Sequence, residues 1–340
     1  MLHPLSRSCS ALVAAAAAAL LLAPSAQATF PGANGRLGVS YGAGDADDGL
    51  TSGLFTGLPF APANAKRLGW TGEACGDQPF DPAYPDGPSC AAGSGVAFNN
   101  SGSVVAFSAS TASGSGQLAI AAADATGIAL LPPQTASDQQ PSFAPTPFGS
   151  AASTQLVFQG QSGASGGQTD LYTLTLALAA APATAAGLTQ ITRLGDATAP
   201  DWSSGNRIVF THARQLYAIG AGGSGLTRLT SAGGDQAAWS PGGTAVAFAR
   251  NGAIWRMGVG ARGAGTSALR LTSGGGASWP VWSPDGTAIA YERASGNFSS
   301  IYTVPARGGR PRLAISGLAF ARTTGGSALG PGRIGWQALR

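Results

Sequence analysis

The 340-residue chain holds 52 glycines and 22 prolines, is 44% hydrophobic and only 10% charged. Such a chain can bury a sizeable core, and its regularly spaced Trp, Phe and Tyr exclude a disordered protein, which lacks aromatic and β-branched residues. Formal net charge is +4, but residues 29–170 carry 10 acidic and 3 basic side chains whereas residues 171–340 carry 5 and 15.

At the N-terminus, Arg7 precedes an apolar run over residues 11–23, followed by Ala26-Gln27-Ala28. The run is shorter than the ~20 residues of a spanning helix. The pattern is that of a signal peptide over residues 1–28, cleaved before Thr29. A secreted or periplasmic protein without a transmembrane segment is expected, with one domain over residues 29–340. The basic residues are scattered, with no run of five, so they read as a solvated surface; no nucleic-acid partner is expected.

Phe30-Pro31-Gly32-Ala33-Asn34-Gly35 opens the first frame of a repeat. Asp45, Asp47 and Asp48 before Gly49 are its acidic cluster, without calcium-loop spacing, and read as a solvated hairpin. A long insertion follows. In an oxidising compartment its Cys75 and Cys90 pair as one disulfide. Metal binding, the alternative, lacks histidine neighbours. Pro79, Pro82, Pro85 and Pro88 give the loop an extended path, and Phe80 and Tyr84 within it could contact a partner; a structural cap on one end of the fold is the other reading.

The repeat returns at Phe98 and Phe143, and in a worn form at Trp202. It is plainest in Trp239-Ser-Pro-Gly-Gly-Thr-Ala-Val-Ala-Phe248 and, 43 residues on, Trp282-Ser-Pro-Asp-Gly-Thr-Ala-Ile-Ala-Tyr291. A short strand ends in Trp or Phe. Pro presets φ in the turn, and Gly closes it. The second strand alternates bulky Ile289 and Tyr291 with small Ala288 and Ala290. Third strands follow at Leu171, Gln215, Ala253 and Ser300, and fourth strands at Thr189, Leu226, Leu269 and Pro311. Four strands per ~40-residue unit are the mark of propeller blades.

No catalytic, cofactor or metal site emerges. His212 is the one histidine after residue 28 and reads as a turn residue. Gly163-Ala-Ser165-Gly-Gly167 lacks the strand, helix and base of a nucleophile elbow. Lys66 is the only lysine, so there is no phosphate loop. Asp201, Asp235 and Asp285 recur near the repeat starts, which makes them look structural. Glu73 and Glu292 are the only glutamates.

The run Trp282-Ser-Pro-Asp-Gly, Ile289-Ala-Tyr, Ile301-Tyr-Thr-Val and Arg312-Leu resembles the TolB-like (WD40-like) β-propeller repeat. The resemblance implies an all-β, six-bladed propeller of four-stranded antiparallel blades that serves as a protein-interaction platform. Arg333-Ile-Gly-Trp336-Gln-Ala-Leu repeats a first strand with nothing after it, so it should close the ring by completing the first blade. Seven blades, with an extra start at Phe320, is the runner-up. A monomeric, non-catalytic scaffold for a protein partner or cell-envelope ligand is expected; a carbohydrate-active or hydrolytic enzyme on the same fold is the alternative.

Overall fold

A computed structural model of the chain describes residues 33–45, 49–57, 66–68, 91–110, 115–123, 129–145, 153–163, 167–178, 184–260, 265–295, 298–319 and 333–339. The signal-peptide segment, Phe30, Asp47, Asp48, Cys75, Phe80, Tyr84, Cys90, Ser165 and Phe320 lie outside the described residues.

The chain forms four-stranded antiparallel sheets. β1 (Ala33–Asp45), β2 (Gly49–Gly57) and β3 (Lys66–Leu68) come first. The next sheet holds β4 (Ala91–Phe98), β5 (Val104–Ser110), β6 (Gly116–Ala122) and β7 (Ala129–Leu130). Then come β8 (Ser137–Phe143), β9 (Ser153–Gln161), β10 (Thr169–Ala177) and β11 (Thr184–Gln190). β12 (Thr198–Trp202), β13 (Arg207–His212), β14 (Gln215–Gly220) and β15 (Thr227–Arg228) follow. β16 (Asp235–Trp239), β17 (Ala245–Arg250), β18 (Ala253–Gly258) and β19 (Leu269–Arg270) repeat the plan. So do β20 (Ala277–Trp282), β21 (Ala288–Ser295), β22 (Phe298–Pro305) and β23 (Arg312–Ala319). The last strand is β24 (Gly335–Leu339).

Five sheets are thus blades of four consecutive strands. This corrects the expectation of six or seven such blades. The remaining sheet is composite, in the order β24-β1-β2-β3, with the far C-terminal strand beside β1. Ala33 pairs with Leu339 and Leu37 with Trp336.

One register rule holds in every sheet. The aromatic ending the first strand lies opposite an aliphatic residue of the second: Phe98 and Val105, Phe143 and Leu156, Trp202 and Ile208. Trp239 and Val246, Trp282 and Ile289, and Trp336 and Leu37 continue it. Trp336, from the tail, therefore fills the aromatic position of the composite sheet. The turn between the two strands is also repeated. Gly286 N–H donates to Ser283 O at 2.8 Å and Gly243 N–H to Ser240 O at 2.9 Å. The worn copies close alike, Asn206 onto Ser203 at 3.0 Å and Gly102 onto Asn99 at 2.9 Å. The closing residue is left-handed in each (φ 56° to 71°), which Gly adopts freely and Asn tolerates.

The core sits between sheets. Ile289 and Tyr291 pack with Ala245, Ala247 and Ile254 of the blade before, while Ala290 packs with Ile301, Ile334 and Trp336 on the other side. Val246 and Phe248 face Val209 and Leu216 in the same sense. One bulky and one small face per second strand let twisted sheets stack around an axis. A threonine ties the outer strand of three blades: Leu171, Leu216 and Ile254 N–H donate to Thr192, Thr230 and Thr272 Oγ1 at 2.8 to 2.9 Å.

The β13–β14 and β17–β18 hairpins both have two-residue loops. The second uses Asn251-Gly252, the first Ala213-Arg214, with φ of 48° and 58°. Paired left-handed residues make a type I′ turn, for which Asn-Gly is preferred. Replacing Ala213→Asn with Arg214→Gly should stabilise the protein by about 1 kcal/mol or more in urea unfolding.

Candidate functional site: the axial pocket

The first strands β4, β8, β12, β16 and β20 touch in sequence, and β24 touches both β20 and β4. Each of the five carries a register shift just before its aromatic. The residue at the shift is left-handed: Gly95, Gln140, Ala199, Gln236 and Trp279. A bulge takes one N–H out of the ladder, and a neighbouring blade supplies the acceptor. Gln140 N–H donates to Ser108 Oγ (3.0 Å) and Ala199 N–H to Gln159 Oε1 (2.9 Å), while Gln236 N–H is shared between Thr211 Oγ1 (3.3 Å) and Asp235 Oδ1 of its own strand (2.7 Å). Ser108, Gln159 and Thr211 each follow a second-strand Phe. In the next blade that position is Ala249, so Gln236 Oε1 accepts from Trp279 N–H at 3.0 Å instead.

Past the bulges these strands line a small open-mouthed cavity of about 60 Å³. Phe98, Phe143, Trp239, Trp282 and Trp336 give it apolar walls, and Pro241 and Pro284 of the turns edge it. One ion pair stands in it, Arg333 with Asp201, their side chains 14% and 3% exposed. Arg333 precedes β24 and also donates to Pro200 O at 2.6 Å and Pro141 O at 3.4 Å. Asp201 accepts from Ser142 Oγ (3.1 Å) and Trp239 N–H (2.6 Å), and Ser142 Oγ accepts from Trp202 N–H (3.2 Å). Burial pushes the Arg333 guanidinium down to about 10, so it stays charged at neutral pH. Three blades and the tail thus meet in one charged knot.

The other recurring aspartates are also tied into the framework. Asp285 accepts from Asn34 Nδ2 at 2.8 Å and Asn34 Oδ1 accepts from Asp285 N–H at 3.2 Å, which joins β1 to the turn before β21. Burial raises its carboxyl, but hydrogen bonds from Ser283, Thr287 and Asn34 outweigh this and hold it below the usual range. Asp235 Oδ1 accepts from Thr211 Oγ1 at 2.8 Å. His212, read from sequence as a turn residue, ends strand β13 instead; its Nδ1 meets Asp196 Oδ1 and its ring lies 5.1 Å from that of Tyr217. Glu292, at the position of Ser108 and Gln159 in its own blade, is buried, and burial pushes its carboxyl up to about 7 against the Ser299 and Ser278 hydroxyls.

Sequence reasoning read Asp201 as structural from its recurrence and gave Arg333 no partner; the structure pairs the two. Counting back three residues from each closing aromatic would have found Arg333: Gly95, Gln140, Ala199, Gln236 and Trp279 share that position, and it is the charged copy before Trp336. Among the described residues no three His, Cys, Asp or Glu side chains gather as a metal cage. Among them, too, no helix is long and apolar enough to cross a membrane.

Repeated four-stranded sheets packed face to face around an axial pocket define a β-propeller. Comparison of the sequence with family models and with curated proteins finds no match. Comparison of the fold does. TolB from Acinetobacter baumannii is similar at TM-score 0.61 and 15% identity, over 89% of this chain and 67% of that one. A putative TolB from Agrobacterium tumefaciens is similar at 0.56 and 14%, over 84% and 91%. A chain of a nidogen/laminin complex is similar at 0.62 and 8%, over 90% and 99%. The chain therefore has a TolB-like β-propeller fold.

Breaking a buried ion pair strands its partner charge. Arg333→Met alone should cost about 3–5 kcal/mol in denaturant unfolding, and Arg333→Met with Asp201→Asn less, since no uncompensated charge remains. Glu292 gives a pH test. Its folded pKa lies above the unfolded one, so the folded state holds the extra proton and stability falls as pH rises from about 4.5 to 7. Glu292→Gln should flatten the melting temperature across that window.

Proposed function

We propose that the protein is a non-catalytic propeller scaffold that works outside the cytoplasm and receives a protein partner or envelope ligand at the axial pocket. The carrying observation is the commitment of the pocket's polar groups. Ser142 and Asp201, which elsewhere could serve as nucleophile and base, hold Arg333 and the Trp202 and Trp239 amides in place. What is left toward the mouth is a concave apolar wall with a fixed charge at its side. Such a wall suits binding.

The TolB proteins of similar fold support a propeller scaffold, and fold alone does not decide activity. Export is supported by the apolar run over residues 11–23 and the Ala26-Gln27-Ala28 site. We further propose that the composite sheet acts as the sixth blade, that β24 holds the ring shut, and that Cys75 and Cys90 form a disulfide presenting Phe80 and Tyr84.

Val281 is half-buried and lines the pocket, so Val281→Phe would fill it. An envelope partner cross-linked by the wild type should be lost with Val281→Phe; retention would remove the pocket from the reading. Glycan turnover abolished by Asp201→Asn, with the fold intact, would favour the enzyme instead. Deleting residues 333–340 removes both Arg333 and β24 and should lower the unfolding free energy by at least the 3–5 kcal/mol of a broken buried pair; an unchanged melting temperature would refute closure by β24.

A further inference from the structure

We infer that the outer rim of the last three consecutive blades, at its turn end, rests on an anionic lipid surface, with leucines as apolar anchors and arginines at the phosphates. This surface lies on the perimeter and is independent of the axial pocket. In each of these blades the third strand runs back from the hairpin to the turn end, where Gly220 pairs with Arg207, Gly258 with Ala245 and Pro305 with Ala288. The connection to the fourth strand therefore lies at that end, and the fourth strand is the outer edge of its sheet. Just past these connections stand Leu226, Leu269 and Leu313, which are 45%, 51% and 48% exposed. In the shared register they fall within two residues of one another: Arg228 faces Tyr217, Arg270 faces Trp255, and Leu313 itself faces Tyr302. Among the described residues the exposed large apolar side chains are these three and Leu188, which continues the series onto the blade before.

Cations accompany the leucines. The β22–β23 connection reads Pro305-Ala-Arg307-Gly-Gly-Arg310-Pro-Arg312-Leu313 and exposes all three arginines. Gly308 N–H donates to Pro305 O at 2.9 Å, and φ of 92° at Gly308 and 144° at Gly309 turns the chain sharply, as glycine permits. Arg256, which faces Leu269, reaches across to Ala306 O at 3.5 Å, so the basic edge crosses the joint between two blades. Little opposes it. Glu292 is the last acidic side chain of the chain, and seven arginines follow it. Among the described residues, the carboxylates at the turn end of these blades are Asp201 and Asp285. Asp201 is held by Arg333, and Asp285 already accepts from Asn34, Ser283 and Thr287.

The pairing of leucine with arginine chooses among anionic partners. A soluble polyanion engages the arginines but gives the exposed leucines nothing to pack on. A folded acidic protein would cover a contiguous apolar patch, whereas these leucines stand singly, one per blade. A lipid interface accepts separate anchors: each leucine enters the acyl boundary while the guanidinium groups stay among the headgroups. The cations suit phosphate in particular. Lys66 is the only lysine, so the basic edge is built of arginine, whose guanidinium fork binds phosphate oxygens in pairs.

The test is co-sedimentation of the full chain with vesicles of phosphatidylglycerol and phosphatidylcholine in equal parts, compared with vesicles of phosphatidylcholine alone. The mixed vesicles should bind about tenfold more tightly or better, since each arginine near an anionic surface contributes about fivefold. Arg307→Gln with Arg310→Gln should weaken mixed-vesicle binding about tenfold or more. Leu269→Ser with Leu313→Ser should weaken it about tenfold as well, through the lost apolar burial. Both pairs are exposed, so the circular dichroism spectrum should not change. The variants keep residues 11–23, so any pull of that apolar run on the vesicles is common to all. Equal binding to the two vesicles, or an unaffected arginine pair, overturns the inference. If the arginine pair matters and the leucine pair does not, the lipid surface is overturned in favour of an acidic protein or a soluble polyanion.

Discussion

Sheet packing in this protein is governed by the two unlike faces of each second strand. Val246 and Phe248 project into one interface while Ala245 and Ala247 project into the next. A bulky row cannot pack on a bulky row at the spacing that twisted sheets allow, nor can a small row fill the gap to another small row. Each sheet must turn its large face to the small face of its neighbour. Repetition of that choice sets direction around the axis, brings the first strands together and creates the pocket.

Bringing those strands together has a local cost. Every bulge removes one amide from the ladder and holds a residue at positive φ, even Gln140, Gln236 and Trp279, for which this is unfavourable. The strain persists because neighbouring blades satisfy the freed amides with Ser108, Gln159, Thr211 and Gln236. Adjacent blades are thus joined by hydrogen bonds near the axis as well as by apolar packing farther out. The joint between the final consecutive blade and the composite sheet is different. There Asn34 clasps Asp285 and the buried Glu292 replaces a neutral side chain. At this joint Glu292 carries a carboxyl that burial pushes up to about 7, so the joint depends on pH.

Arginines stand at both ends of the blades, Arg250 at the hairpin end over Phe248 and Trp255, and Arg207 and Arg256 toward the turn end over Trp239 and Trp282. Carboxylates at the hairpin end are tied to histidine, threonine and backbone amides. Arginines at the turn end stack on the indoles around the pocket. The Arg333–Asp201 pair lies between these ends and spans the axis. A buried pair of this kind adds little net stability over apolar packing, but it fixes which groups meet. Here it specifies where the tail enters the propeller.

The repeat itself was legible because its signals are local. A closing aromatic, a Pro-Gly turn and an alternating strand each act within about ten residues, so the four-stranded blade, the bulky and small faces and the Asp45–Gly49 hairpin could all be read from the chain. The axial site was not, because its members are far apart. Arg333 and Asp201 are separated by 132 positions, and Asn34 and Asp285 by 251. A lone arginine before Trp336 has no visible partner until the first strands converge. Sequence by itself determined the unit and the direction of its packing, through periodicity and turn chemistry. Tertiary structure alone decided which charges share the axis and which groups of neighbouring blades cover the bulged amides. Those outcomes depend on long-range closure of the chain, and no local propensity encodes it.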